Sequence, residues 1–345
     1  MRKLKRLAPQ IAALVLVLIA VTLAAPGFLS LSVQNGRVYG SLIDVGVRAA
    51  PVALLAIGMT LVIATKGIDL SVGAVMAITG AVAASLVANG QPLAVVILVS
   101  LGIGLLCGLW NGALVAILDL QPIIATLILM VAGRGIAQLI TEGTILTFNN
   151  PAFSFIGSGA FLGLPMPILI WLAVGLAVGL LVRRSALGLL IEAVGINRRA
   201  SSLIGVRSRF LIIAAYAVSG LCAAMAGMIV TADIHGADAN NAGLWLELDA
   251  ILAVVIGGTS LSGGRFSITA SLIGALIIQT LNTGILMAGW PPEFNLIVKA
   301  VAIVIILTLQ SPTVATLIGG FRIAARSGGT QNHGPQSVTK KQERA

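Results

Sequence analysis

Ten stretches of about 20 mainly apolar residues follow one another between residues 11 and 311, and no other feature limits the fold as strongly. They fall near 11–29, 46–65, 69–88, 93–118, 122–141, 165–182, 210–232, 246–260, 267–288 and 294–311. A stretch of that length spans a bilayer as a helix. The runs Ile11 to Leu23 and Leu296 to Leu309 are continuous rather than alternating, which excludes a barrel of ten-residue strands. In lipid each backbone donor and acceptor must be paired within the segment, so the expected class is an all-α polytopic membrane protein. Charged residues make up only 9% of the chain, far below a soluble protein's share of roughly a quarter.

Positive charge sets the orientation, because lysine and arginine stay on the cytoplasmic side. Arg2, Lys3, Lys5 and Arg6 open the chain; Arg183, Arg184, Arg198, Arg199, Arg207 and Arg209 lie between the sixth and seventh spans; Arg322, Arg326, Lys340, Lys341 and Arg344 close it. These regions hold 15 of the 21 basic residues, and ten spans put all three on one side with both termini cytoplasmic. The net charge of +10 therefore reads as topology beside anionic lipid rather than as nucleic-acid binding. Ala24 and Ala25 after an apolar run also fit a cleavable signal, but removing it would put loop and tail on opposite sides, so an uncleaved first span is expected. Residues 1–320 read as the membrane domain and 321–345 as a basic polar tail without fixed structure.

Catalysis finds little support. Cys107 and Cys222 lie within spans, and His235 and His333 stand alone, so neither a disulfide framework nor a metal site is expected. No stretch fits the phosphate loop G-x-x-x-x-G-K-[ST], so any ATP hydrolysis belongs to another subunit. The loop at about 183–209, with Glu192, Gly195, Asn197 and Ala200, is either a helix that docks on a soluble partner or a connector on lipid headgroups.

Polar groups inside the spans mark the remaining candidates. Gly104, Gly108 and Gly112 recur every four residues and make a smooth face for a neighbouring helix. Asn111 shares that face, either bonding across helices or meeting a transported molecule. Ser271, Ala275, Gln279 and Thr283, with Asn282 beside them, form a polar stripe that suits a packed bundle or a path for an uncharged, hydroxyl-rich molecule. Arg134, Gln138 and Glu142 follow at one-turn spacing as a polar ladder. Asp69 or Ser71 is expected to cap a helix after the break at Gly67. Leu70, Ser71 and Gly73 recur as Leu261, Ser262 and Gly264, which suggests two equivalent helix breaks. Glu247 and Asp249 open the eighth span, expected near its outer end.

Three segments, GMTLVIATKGIDLSVGAVMAITGAVAAS (58–85), EAVGINRRAS (192–201) and ELDAILAVVIGGTSLSGGRFS (247–267), resemble the permeases of bacterial sugar ABC importers, the ribose, xylose, arabinose and galactose group. Residues 48–65, 125–135 and 236–251 are similar to the galactofuranose subgroup. The resemblance covers nearly the whole chain except the tail and marks Asp69, Ser71, Glu247, Asp249, Gly257 and Gly258 as motif residues. It implies an inner-membrane subunit with no cofactor of its own. Its partners would be a periplasmic sugar-binding protein, a second permease, identical or related, and an ABC ATPase that uses ATP and Mg. It makes Glu192, Gly195, Asn197 and Ala200 the ATPase-coupling residues, with Asn111, Arg134, Gln279 and Asn282 as path candidates. The rival is a proton-coupled secondary sugar transporter using the Glu247 and Asp249 carboxylates; a membrane-embedded enzyme stands third.

Overall fold

The computed structural model describes residues 2–34, 37–291 and 294–310; the tail and His333 lie outside them. In chain order, α1 (Arg2–Ala24) is followed by the hairpin β1 (Leu31–Gln34) and β2 (Arg37–Gly40), then α2 (Ser41–Ala64), α3 (Val72–Ala88), α4 (Leu93–Ala116) and α5 (Pro122–Ile140). Next come β3 (Leu146–Thr147), α6 (Pro151–Ser158), β4 (Ala160–Phe161), β5 (Leu164–Pro165) and α7 (Met166–Arg184). The basic loop folds as α8 (Leu187–Ile196) and α9 (Arg198–Leu203). After it run α10 (Ser208–Asp233), β6 (Gly236–Ala237), α11 (Leu246–Ile256), α12 (Ile268–Met287) and α13 (Phe294–Gln310). The chain divides into two compact units, residues 1–300 and 301–345. The described part of the second is the end of α13; everything below concerns the first.

Each of the ten apolar stretches is a helix, and among the described residues seven are long and apolar enough to cross a membrane: α1 over Leu7–Ala24, α2, α4, α5, α7, α10 and α12. Two boundaries differ from expectation. The first helix starts at Arg2 rather than residue 11 and stops at Ala24, ahead of Pro26 and Gly27, with Gly27 at φ 95°. The eighth is only 11 residues, about 16 Å long and about half of a hydrocarbon core. Three short antiparallel pairs, β1 with β2, β3 with β6 and β4 with β5, interrupt the otherwise helical chain.

α2 lies at the centre of the unit, buried along nearly its whole length and flanked by α10, α11, α12 and α7. The outer helices present large apolar side chains outward, among them Leu98 and Leu106 on α4, Val131 and Leu139 on α5, and Leu176 on α7. Water does not tolerate so extensive an apolar surface; lipid does.

Without a hydrophobic drive between helices in lipid, close backbone packing has to hold them together. The Gly104, Gly108 and Gly112 face meets α10, where a Cβ at Gly108 would strike the Tyr216 carbonyl and one at Gly220 the Gly104 carbonyl. Gly227 of α10 lies equally close to Met76 of α3, and Gly274 of α12 to Ala253 of α11. Gly108→Leu should destabilise the fold by about 1–3 kcal/mol through overpacking. Gly102→Leu, where a Cβ would meet nothing within 4 Å, should not; thermal melts in detergent compare the two.

Candidate functional site

Three helix C-termini converge at the arginine-rich end. α2 stops in a two-bond turn, with the Lys66 amide donating to the Ile63 carbonyl and Gly67 to Val62, both at 2.9 Å. α11 stops in the same way, Gly258 donating to Val255 at 2.8 Å and Thr259 to Val254 at 3.2 Å. This turn needs one left-handed residue, usually glycine. Gly258 supplies it at φ 82°, but on α2 the position holds Lys66, at φ 65°. A side chain there costs roughly 1–2 kcal/mol, and the Lys66 ammonium donates at 3.1 Å to the Ile196 carbonyl, the last of α8. The Gly264 amide donates at 2.9 Å to the Ala64 carbonyl. Gly195 packs so tightly that a Cβ would strike the Ala64 carbonyl and lie 2.6 Å from the Gly264 nitrogen. The basic loop is thus fastened by backbone contact to the end of α2 and to Gly264 in the segment between α11 and α12.

The four loop residues singled out in the sequence do different things. Gly195 is buried in this junction. Asn197 caps α9, accepting from the Ala200 amide at 3.0 Å, and Ala200 is exposed. Glu192 is half-buried at a cavity shared with Arg183, Ser185 and Thr269.

Beyond Lys66 the chain turns back inward before α3 begins. Asp69 is 1% exposed. It accepts from the Ser71 amide at 3.1 Å, the Ser71 hydroxyl at 2.6 Å, the Ser219 hydroxyl at 2.8 Å and the Asn111 amide at 3.5 Å. Asn111 also donates to Ser71 Oγ at 2.8 Å. Among the described residues no cation pairs with Asp69; neutral donors solvate the carboxylate, which is what a buried charged group requires. Thr126 and Tyr216 hold the neighbouring backbone: Leu70 donates to Thr126 Oγ1 at 3.2 Å and Tyr216 donates to the Ile68 carbonyl at 3.3 Å. Asp69 therefore fixes the turn ahead of α3 rather than capping that helix as expected; Ser71 stands at the N-cap but makes no side-chain capping bond. Asn111, fully buried, ties α4 to the turn before α3, and its Oδ1 has no hydrogen-bond partner.

At the opposite end, the segment between β6 and α11 is clamped from α5. Arg134 Nη1 donates to the Ala239 and Ala242 carbonyls, and Gln138 to Asn240 Oδ1 at 2.8 Å. Glu142 is exposed at φ 53° and takes no part, so the expected three-residue ladder is instead a two-residue clamp. Asp238 folds the same segment, its carboxyl held below the usual range by the Asn241 side chain and by the Asn240 and Asn241 amides. The clamp lowers Gly243 against Gly73, so α11 starts beside the first turn of α3 rather than at the outer surface. Glu247 Oε2 is buried there without a hydrogen bond. Asp249 receives the Lys299 ammonium of α13 on both oxygens at 3.0 Å. Lys299, the one charge in the last apolar stretch, escaped the sequence analysis, although a lone cation in a span calls for a partner.

The two glycine breaks adjoin but are not equivalent. Gly264 packs near Ala64 and Gly195, whereas Gly73 packs against Gly243 and Glu247; Ser71 is buried and Ser262 exposed. The sequence echo carries no shared environment.

The stripe on α12 also divides. Ser271 accepts from Thr60 of α2 at 2.8 Å, a packing contact. Gln279 instead lines a cavity of about 270 Å³ with Arg48 and Asp233, walled by Pro51, Ile229 and Pro167. Gln279 donates to Thr283 at 3.3 Å and accepts from Asn282 at 3.5 Å. Amide, guanidinium and carboxylate together offer donors and acceptors to hydroxyl groups. Arg48 and Asp233 were legible as charges at the ends of apolar stretches but were not singled out.

The family described as branched-chain amino acid transport system / permease component matches residues 41–307. The galactofuranose transporter permease protein of Escherichia coli K12 is 61% identical over 314 residues, 91% of this chain and 92% of the relative. The fructose import permease protein of Bifidobacterium longum is 42% identical, over 90% of this chain and 89% of its own. The ribose import permease protein of Escherichia coli K12 is 39% identical, over 87% and 92%. No solved structure matches.

Asp249→Asn and Lys299→Met should each cost about 3–5 kcal/mol by stranding a buried charged partner. The double variant should cost clearly less than the two together, as read by denaturation in lipid-detergent micelles.

Proposed function

The chain belongs to the permease-component family of branched-chain amino acid transport systems, and from that premise we propose that it is the membrane subunit of a binding-protein-dependent ABC importer for galactofuranose. The observation that carries the sugar is the likeness, over nearly the whole chain, to a galactofuranose transporter permease. In this reading the protein sits in the bacterial inner membrane with the arginine-rich end in the cytoplasm. A binding protein delivers sugar to the other face, and a second permease, identical or related, completes the path. A separate ATPase consumes ATP with Mg.

The geometry supports alternating access driven from the loop. Force on α8 and α9, at Glu192, Asn197 and Ala200, reaches the end of α2 and the segment between α11 and α12 through Gly195, whose backbone approaches Ala64 and Gly264 without an intervening side chain. Lys66 ties the loop to α2 from the other side. Because α11 is a half-length helix starting against α3, a shift at its cytoplasmic end is felt at membrane depth near Glu247 and Gly73. The cavity at Arg48, Asp233 and Gln279 is the outward-facing sugar contact, with Gln279 held by Asn282 and Thr283 of α12.

Uptake of labelled galactofuranose, ribose and galactose into proteoliposomes holding the permeases and ATPase is the test, with binding protein outside and ATP inside. Galactofuranose uptake that requires both ATP and binding protein is expected; uptake by this chain alone under a proton gradient would establish a secondary carrier. Lys66→Gly separates coupling from folding. It relieves the left-handed strain, so stability should hold or rise by up to about 1 kcal/mol. Sugar moved per ATP should nevertheless fall several-fold, because the bond to Ile196 is gone. Glu192 and Gly195 replacements should likewise uncouple hydrolysis from uptake without loss of membrane insertion.

A further inference from the structure

A cavity of about 830 Å³ beside the loop helix α9 has no role in moving the sugar. It opens at the arginine-rich end between the last residues of α4, the helix α9 and the first turn of α10. Four arginines line it, Arg198, Arg199, Arg207 and Arg209, against the single carboxylate of Asp119. That carboxylate is already taken: Arg198 Nη1 meets it at 2.9 Å, while Nη2 donates to the Ala116 carbonyl, also at 2.9 Å. Arg199, Arg207 and Arg209 form no salt bridge among the described residues and are exposed.

Apolar side chains stand beside these guanidinium groups. Ile117 and Leu118 at the end of α4 are 56% and 62% exposed, and Phe210 on α10 is 64% exposed. Leu203 and Ile204, which follow Ser202 of the lining, are almost fully exposed. Ile117 continues the outward face of α4 that carries Leu106, Leu109 and Trp110, the face that lipid covers. Unpaired arginines beside uncovered apolar groups suit a ligand that is anionic at one end and apolar at the other.

We propose that this cavity is a binding site for an anionic phospholipid of the adjacent leaflet. Arg199, Arg207 and Arg209 receive the headgroup phosphate, and its acyl chains lie over Ile117, Leu118 and Phe210. The planar guanidinium fork matches phosphate oxygens bidentately, which a lysine ammonium does not. Basic pockets between membrane helices on the cytoplasmic side take such headgroups. The site adjoins the fastened loop through Arg198, so a bound lipid would brace α9 against α4.

The test uses the purified full chain without any ATPase. Native mass spectrometry would follow titration with phosphatidylglycerol or phosphatidylcholine, with and without inorganic phosphate. The anionic lipid should bind at least about tenfold more tightly, given three added cations at the headgroup. Substituting Arg199, Arg207 and Arg209 together by lysine keeps the charges that set topology and should reduce the preference several-fold; substitution by glutamine should abolish it. Millimolar inorganic phosphate should leave the lipid in place. Equal binding of the two lipids by the wild type, or an unchanged preference in the glutamine variant, would overturn the proposal. Competition by free phosphate would reassign the cavity to a soluble anion, and displacement of lipid by the partner ATPase would reassign it to a protein contact.

Discussion

Hydrocarbon offers a broken helix nothing to bond with, so a span can end inside a membrane protein only where other protein groups take up its freed carbonyls and amides. This chain ends α2 and the loop helix α8 at one place, with Gly264 from the segment after α11 packed between them, and ends α11 against Gln10 of α1. Each closes two of its own carbonyls with a two-bond turn or lends one to a neighbour: Ala64 to Gly264, Ile196 to Lys66, Gly257 to Gln10. The absence of side chains at Gly195 and Gly264 follows from this mutual satisfaction, because the backbones must approach within hydrogen-bonding distance. The same closeness that completes the bonding makes the junction stiff, and stiffness is what a force-transmitting contact requires.

The buried charges serve the same end. Asp69 organises the inward turn after α2 by gathering donors from three helices or their ends, and Arg134 lowers the start of α11 by holding two loop carbonyls. Asp249 and Lys299 then fix α11 laterally to α13. None of the three is placed in the cavity of Gln279. These charges hold irregular backbone at depth, while the space a sugar could occupy is lined by Arg48, Asp233 and the Gln279 amide of α12.

Much of this was legible in the sequence, and what was not has physical causes. Continuous apolar runs identify the ten helices because lipid leaves no other use for them. The strand pairs of two to four residues are too short to show a period. The glycine face of α4 was visible from spacing alone. Arg134 illustrates the limit: its spacing pointed to neighbours on the same helix, but its partners are carbonyls more than 100 residues away, and carbonyls leave no mark in a sequence. Lys66 is similar, because nothing in its neighbours says that a lysine occupies a left-handed turn.

The central claim is that the end of α2, the end of α8 and the segment around Gly264 form one hydrogen-bonded junction, and amide hydrogen exchange measures that directly. The amides of Gly67 and Gly264, although outside any helix, should exchange as slowly as those in the middle of α2. Those of Gly143 and Thr144 in the exposed turn after α5 should exchange fast. Rapid exchange at Gly67 and Gly264, matching that turn, would mean that the junction opens freely and that motion of the loop cannot be carried through it.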